Sequence, residues 1–460
     1  MDELSFHPGS TVHFVGIGGA GMSAIAKVLL ERGLTVTGSD LKASRPATLL
    51  EAMGAHVHVG HDAAHVGDAE VVVVSSAIPE RNPELRAARE RGIRVAGRGE
   101  ALAAVLRGQR AVVVAGTHGK TTTTSMIVSV LRAAGRDPTY LVGGGLNDAG
   151  TNAKSGRDEL AVAESDESDG SFLLLQPAIA VVTNVEPDHV DYWASEEALH
   201  EAFARFVASV DPSGAVVVPA AEQELVEWAE AAPARAVTFG DGGDVAALEV
   251  RLGPGEAAFE LGVDGERHPV HLRVPGRHNV ANALAAAAAC HCAGVAPADV
   301  AAGLGRYGGV ERRWHVRGEA GGVTVIDDYA HHPTEVRATV GAARPGPWER
   351  VVAVFQPHRY SRTRAFAREF GEAFAGADRV VVTDVYGAGE EPVPGVTGKL
   401  VADSVCRALP GRPVAYLPHR DELVSYLAAT ARPGDAVLTL GAGDVTGVGE
   451  ELLARIASGR

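Results

Sequence analysis

Runs of apolar, mostly β-branched residues alternate with amphipathic or Ala-rich stretches along nearly the whole chain. In the first hundred residues this pattern predicts strands at 11–15, 35–37, 69–75 and 93–95, and helices at 21–31, 83–91 and 100–107. Further on it predicts strands at 160–163, 181–184 and 215–218, with helices at 196–210 and 280–293. Between 237 and 269 the apolar runs shorten and are broken by Gly and acidic residues, as in an antiparallel insertion or edge sheet. From 312 onward the alternation resumes, with strands at 323–327, 351–355, 379–383, 414–416 and 436–440, a helix at 334–343, and the segments 366–374, 400–409 and 421–430 between. Strand–helix alternation of this kind implies parallel sheets covered by helices on both faces. The predicted fold class is therefore α/β, in three domains: 1–108, 109–311 and 312–460, with Gly108-Gln109-Arg110 as a hinge.

A chain of 460 residues is long enough for two to four such cores. Its net charge of −16 argues against broad electrostatic binding to nucleic acid or to an anionic membrane. No basic stretch followed by an apolar core opens the sequence, and no run of about 18 apolar residues occurs, so a soluble, cytoplasmic protein without membrane insertion is expected, as monomer or homodimer. The three cysteines cannot make a disulfide framework. Cys290-His291-Cys292 has zinc-like spacing, but in an Ala-rich helix residues two apart point to different faces.

The densest chemistry lies at Val112-Val113-Val114-Ala115-Gly116-Thr117-His118-Gly119-Lys120-Thr121-Thr122. A buried parallel strand meets a glycine bend, then Lys and hydroxyl residues open a helix. Backbone N–H groups of such a bend and the positive end of the helix suit a phosphate, Lys120 reaches outer phosphates, and the Thr121 hydroxyl can ligate Mg²⁺. ATP is the expected ligand. Val114 stands where the common P-loop has its first glycine, so the spacing is a shorter variant. Lys120 is also one of only five lysines.

A second glycine motif, Gly16-Ile17-Gly18-Gly19-Ala20-Gly21, sits between a predicted strand and helix, with Asp40 about 20 residues on. Glycines that admit a diphosphate and an acid that reaches a ribose serve a dinucleotide or a UDP-sugar equally, giving a Rossmann-like first domain in either case. Taken alone the motif would indicate a nicotinamide-dependent oxidoreductase, but a separate ATP loop is foreign to a simple dehydrogenase.

Four further segments carry polar chemistry. Glu164-Ser165-Asp166-Glu167-Ser168-Asp169 follows a strand, and Glu164, first off it, is the best oxygen ligand for Mg²⁺. Thr183-Asn184-Val185-Glu186-Pro187-Asp188-His189-Val190-Asp191 is the next strand exit, where α/β sheets gather ligands, and His189 is a metal or phosphate contact there. Asn279 and Asn282, one turn apart, can offer amides to an adenine edge, although Asn279 could instead be only a helix N-cap. Arg359, Arg362 and Arg364 would repel one another unless anions bind, and Arg359 and Arg362 suit a carboxylate and an acyl phosphate.

These motifs, in this order and over essentially the whole chain, resemble the Mur ligase family, with the branch that adds alanine nearest. The resemblance implies a Rossmann-like N-terminal domain, a central P-loop ATPase-like domain and a C-terminal Rossmann-like α/β domain. It implies ATP, UDP-N-acetylmuramate and L-alanine as substrates and Mg²⁺ as cofactor, with Mn²⁺ as a substitute; a sibling branch instead attaches a murein tripeptide to the same UDP-sugar. Gly16, Gly18, Gly19, Gly21, Met22, Ser23, Ser39 and Asp40 are the implied UDP-sugar residues. Gly116, Thr117, His118, Gly119, Lys120, Thr121, Thr122, His278, Asn279, Asn282, Arg312, Arg313 and Asp328 are implied for ATP, with Thr121, Glu164 and His189 for the metal. One of His331 and His332 is implied near the reacting phosphate or acceptor, alongside Lys120, His189, Arg359 and Arg362. Gly441-Ala442-Gly443-Asp444 closes the crevice from the last strand. Some members carry a carbamylated lysine after the His189 motif; no lysine occurs between Lys154 and Lys399.

Overall fold

The computed structural model describes residues 3–75, 77–189 and 192–459. Three sheets of five, ten and six strands follow one another along the chain. The first is wholly parallel, in the order His56–Val59, Thr35–Asp40, Thr11–Val15, Val71–Val74, Arg94–Gly97. Strand order reverses beside Thr11–Val15, and the glycine loop leaves the carboxyl end of that strand, as ligand-binding crevices in such sheets require.

The second sheet has a parallel centre in which Arg110–Ala115 lies between Ile179–Val182 and Leu160–Glu164. All three are covered on both faces, which is why their sequences read as unbroken apolar runs. At one edge Val245–Gly253, Glu256–Val263 and Glu266–Leu272 form an antiparallel meander, the edge addition expected from the broken pattern. The third sheet is parallel except for the edge strand His315–Ala320.

Several elements differ from expectation. The helix Arg45–Ala52, the strand His56–Val59, the strands Thr139–Leu146 and Thr151–Lys154 and the helix Thr446–Ala457 have no counterpart in the predicted pattern. His56–Val59 is an exposed edge whose histidines mask a strand signature, and Thr139–Leu146 contains three glycines yet is held in place by pairing with Leu160–Glu164. The 366–374 segment is the short helix Ala367–Ala373, and a separate short helix, Tyr360–Ala365, precedes it. No helix among the described residues is long and apolar enough to cross a membrane.

The core reaches directly beneath the acidic loop. Phe172, fully buried on the short 3-10 helix Ser171–Leu174, packs against Phe203 at 5.0 Å and Phe206 at 5.3 Å between ring centroids. Phe172→Ala is expected to lower stability by about 3–5 kcal/mol, read as a lower midpoint in denaturant unfolding; an unchanged midpoint would show that this cluster does not anchor the loop.

Candidate active site where three sheets meet

The phosphate loop forms where the strand Arg110–Ala115 gives way to the helix Lys120–Ala133. Gly116 has φ +126°, and a Cβ there would lie 2.2 Å from the Thr183 hydroxyl; Gly119 has φ +81°, and a Cβ there would lie 2.4 Å from Asn282 Oδ1. Both positions need glycine. The next strand exit holds the bend: Asn184 accepts the amide of Thr117 on its carbonyl and that of His118 on Oδ1, and the Thr183 hydroxyl donates to the His118 carbonyl.

Lys120 Nζ donates to the carbonyls of Gly116 and Thr117 and to Glu167 Oε2 at 2.7 Å. Burial alone would lower the lysine pKa, but Glu167, Asp166 and Glu164 outweigh it and raise it. The Thr121 hydroxyl donates to Glu164 Oε1 at 2.8 Å, and Glu164 Oε2 accepts the Gly143 amide. Asp166, Glu167 and His189 place donor atoms within 4.8 Å of one another. Burial raises the Asp166 carboxyl, yet Lys120, His189 and Arg98 hold it at about 2. Glu167 Oε1 is buried, has no hydrogen-bond partner and lies 3.3 Å from His189 Nε2. Thr121 and Glu164, with this second set, offer the hard oxygen donors that Mg²⁺ takes. Val190 and Asp191 of the same motif lie outside the described residues.

Two cavities flank the loop. The larger, of about 640 Å³, runs from Gly21 and Ser23 on the first sheet past Lys120, Thr121, Glu164 and His189 to Arg312, Arg313, His331, Arg359 and Arg362 on the third unit. The smaller, of about 180 Å³, is lined by Thr122, His278, Asn279, Asn282, Arg313 and Asp328. His118 and Gly119 border both.

Several expected contacts are already engaged within the protein. Ser39 is fully buried and donates to Glu84 Oε2 at 2.6 Å, and Met22 is packed in the core, so neither side chain reaches a ligand. Asp40 accepts the Gly18 amide at 2.9 Å and so closes the glycine loop that carries Gly16 and Gly19. Asn279 is not an N-cap: Gly276 holds that position, and the Asn279 amide donates to the Pro275 carbonyl and accepts from Asn282. Asp328 accepts the amides of Trp314 and Ala330; burial carries its carboxyl up to about 6. His278 is lowered to about 4 by burial and by Arg313.

In the third unit, Arg362 finds its anion inside the chain. It is buried and donates through Nε and Nη2, both at 3.0 Å, to the two oxygens of Asp188, whose carboxyl is held far below its usual range despite burial. It thereby ties the His189 loop to the third unit while also lining the large cavity. Arg359 opens the short helix after it with φ +67° and lines the large cavity. Arg312 donates to the carbonyls of Gly441 and Gly443, which is how the Gly441–Asp444 loop meets the start of the third unit. Of the two histidines, His331 lines the large cavity, whereas His332 caps the helix Pro333–Ala343 by accepting the Thr334 amide on Nδ1. Burial holds His331 neutral, at about 3.

Sequence reasoning missed Glu167 as the partner of Lys120, Asp188 as the partner of Arg362, and Glu186 and Glu335 around His118. Nε2 of His118 lies 3.5 Å from Glu186 and Nδ1 lies 3.6 Å from Glu335, while the Thr334 hydroxyl donates to Glu186 at 2.7 Å. Glu167, Glu186 and Asp188 stood in the motifs; which side chains they pair with did not.

Comparison with known proteins supplies the class first. The Mur ligase family catalytic domain matches residues 11–110, the Mur ligase middle domain 114–290 and the Mur ligase glutamate ligase domain 312–443. The chain belongs to the Mur ligase family. Within it, the UDP-N-acetylmuramate–L-alanine ligase of Rubrobacter xylanophilus is 54% identical, over 97% of this chain and 100% of that protein. That of Kineococcus radiotolerans is 51% identical, over 97% and 96%. The crystal structure of the Thermotoga maritima UDP-N-acetylmuramate–alanine ligase superposes with TM-score 0.83 at 30% identity, covering 98% of this chain and all of that one. A murein peptide ligase from Psychrobacter arcticus gives 0.74 at 25%, covering 98% and 99%.

Burial lowers the His118 pKa, but Glu186 and Glu335 outweigh it and raise it from 6.5 to about 9. A raised folded pKa stabilises the protein fully below the unfolded value and ceases to do so as pH rises through the folded one. Between pH 6.5 and about 9 the wild type should therefore lose more thermal stability than His118→Gln does. Parallel losses in the two proteins would show that the imidazolium is not the link.

Proposed function

We propose that this chain is an ADP-forming ligase that joins L-alanine to the lactyl carboxylate of UDP-N-acetylmuramate. The observation that carries the reading is the single large cavity that takes in the first sheet's glycine helix, Lys120 and Thr121 of the phosphate loop, and His331 and Arg359 of the third unit. A three-substrate ligation needs such convergence. In this reading residues 1–108 hold the UDP-sugar, 109–311 hold ATP with adenine in the smaller cavity, and 312–460 bring the amino acid.

A carboxylate is a poor acyl donor because its leaving group would be oxide. Transfer of the γ-phosphoryl group of ATP to the lactyl oxygen forms an acyl phosphate and ADP, and the leaving group then becomes phosphate. The alanine amine attacks the acyl carbon, and the tetrahedral intermediate expels phosphate as the amide forms. Lys120 neutralises charge on the transferring oxygens when it exchanges its loop carbonyls for phosphate. Arg359 and Arg313 present further positive charge along the same cavity, and His331, kept neutral, can sit beside the incoming amine without repelling it. Thr121, Glu164 and His189 would hold Mg²⁺, with Asp166 and Glu167 beside them, and the ion would supply charge neutralisation for the nucleotide. The Arg362–Asp188 clamp and the Thr334–Glu186 bond keep the third unit against the phosphate loop, which excludes water that would hydrolyse the acyl phosphate.

Phosphate release from Mg²⁺-ATP and UDP-N-acetylmuramate tests the reading. Release with L-alanine, and a product heavier by one alanyl residue, is expected; release only with the murein tripeptide would transfer the protein to the sibling branch. Lys120→Ala should abolish turnover while leaving UDP-sugar binding intact, and near-normal turnover would overturn the phosphate-loop assignment.

A further inference from the structure

Arg98 belongs to none of the motifs above, yet it joins two of them. It opens the helix Arg98–Leu106 on the first sheet, and its side chain, a quarter exposed, lines the large cavity. On one side the guanidinium rests against the glycine helix: a Cβ on Gly21 would lie 3.1 Å from its Nη1 and 3.2 Å from its Cδ. On the other side Nη2 donates to Asp169 Oδ2 at 3.1 Å and lies 3.8 Å from Asp166 Oδ2. Asp166 and Asp169 are the acids of the loop whose Glu167 holds Lys120 and faces His189. The seam beneath is tight, since a Cβ on Gly99 would lie 2.4 Å from Ser171 Cβ, so Arg98 cannot withdraw by sliding the helix.

We propose that Arg98 is a positioning residue that couples occupancy of the first sheet's glycine loop to the acid cluster around Lys120. This rests on the sugar-nucleotide reading of that loop. A diphosphate seated at Ala20 and Gly21 lies beside the guanidinium and competes with Asp166 and Asp169 for it. The share of Arg98 that the diphosphate takes, the two aspartates lose. Asp166, freed in this way, lines the same cavity as Lys120 and Thr121 and stands beside Glu167 and His189, where the cation that accompanies ATP is the compensating charge. UDP-sugar binding therefore tightens the Mg²⁺-nucleotide complex, and reciprocally. A bidentate fork suits the task because one cation must serve two carboxylates and a phosphate; a lysine supplies the charge without the geometry.

Calorimetric titration of a non-hydrolysable ATP analogue with Mg²⁺, with and without saturating UDP-N-acetylmuramate, measures the coupling. The wild type is expected to bind the analogue at least about fivefold more tightly in the presence of the UDP-sugar. Arg98→Ala should bring that ratio close to one by raising analogue affinity in the absence of UDP-sugar toward the value the wild type reaches with it, and Arg98→Lys should lie between. A residue that merely held the seam would lower the unfolding temperature and leave the ratio intact. A wild-type ratio of one, or a full ratio in Arg98→Lys and Arg98→Ala, overturns the inference. If Arg98→Ala does not fold, a full ratio in Arg98→Lys alone does so. Absence of UDP-sugar binding to the wild type would overturn both the inference and the reading beneath it, whereas binding with an unaltered ratio overturns the inference only.

Discussion

The structure depends on neutralising one buried ammonium. Lys120 must stand at the mouth of the phosphate loop, where its side chain is only 13% exposed, and an unpaired cation there would carry a desolvation penalty of several kcal/mol. Glu167, 1% exposed, meets that requirement. It brings with it the loop 164–169, whose other acids then need cations of their own. Arg98 meets Asp166 and Asp169 from the first sheet, and His189 adds a second partner for Glu167 from the next strand exit. One charge at the mouth of this loop thus ties two sheets together, and the same acids are groups able to receive a divalent cation.

The third unit is held by the same logic with different chemistry. Arg362 and Asp188 form a buried bidentate pair, and His118 bridges Glu186 and Glu335. Arg312 meanwhile grips the carbonyls of the last loop. The Arg362–Asp188 and His118–Glu335 contacts are polar and cross between the second and third units, whereas the buried apolar clusters of the described residues stay on one side of that boundary. An interface held by polar pairs lets two units shift against each other more readily than continuous apolar packing does.

For the core strands, local pattern and tertiary outcome agree because burial on both faces writes itself into the sequence as uninterrupted Val and Ala runs, as in Val112–Val114. Gly116, Gly119, Lys120 and Thr121 were legible for a related reason: the backbone conformation and phosphate chemistry demand those residue types at that spacing. Edge elements such as His56–Val59 and the glycine-containing Thr139–Leu146 were not, since pairing with a neighbour, and not their own propensity, makes them strands.

By itself, then, the sequence determined the α/β class, the two glycine loops, the family and the set of polar residues from which a site is built. Each of these follows from local periodicity or from motif chemistry at short range. Only the tertiary structure decided how those residues are spent. Ser39 and Arg362 read as ligand-binding groups but are committed to Glu84 and Asp188, 45 and 174 residues away. Conversely, Glu167, one of four acids in its loop, and Arg98, outside every motif, take up positions beside Lys120 and Gly21. A charge is satisfied by whatever lies near it in space, and that neighbour is set by the packing of sheets far apart along the chain.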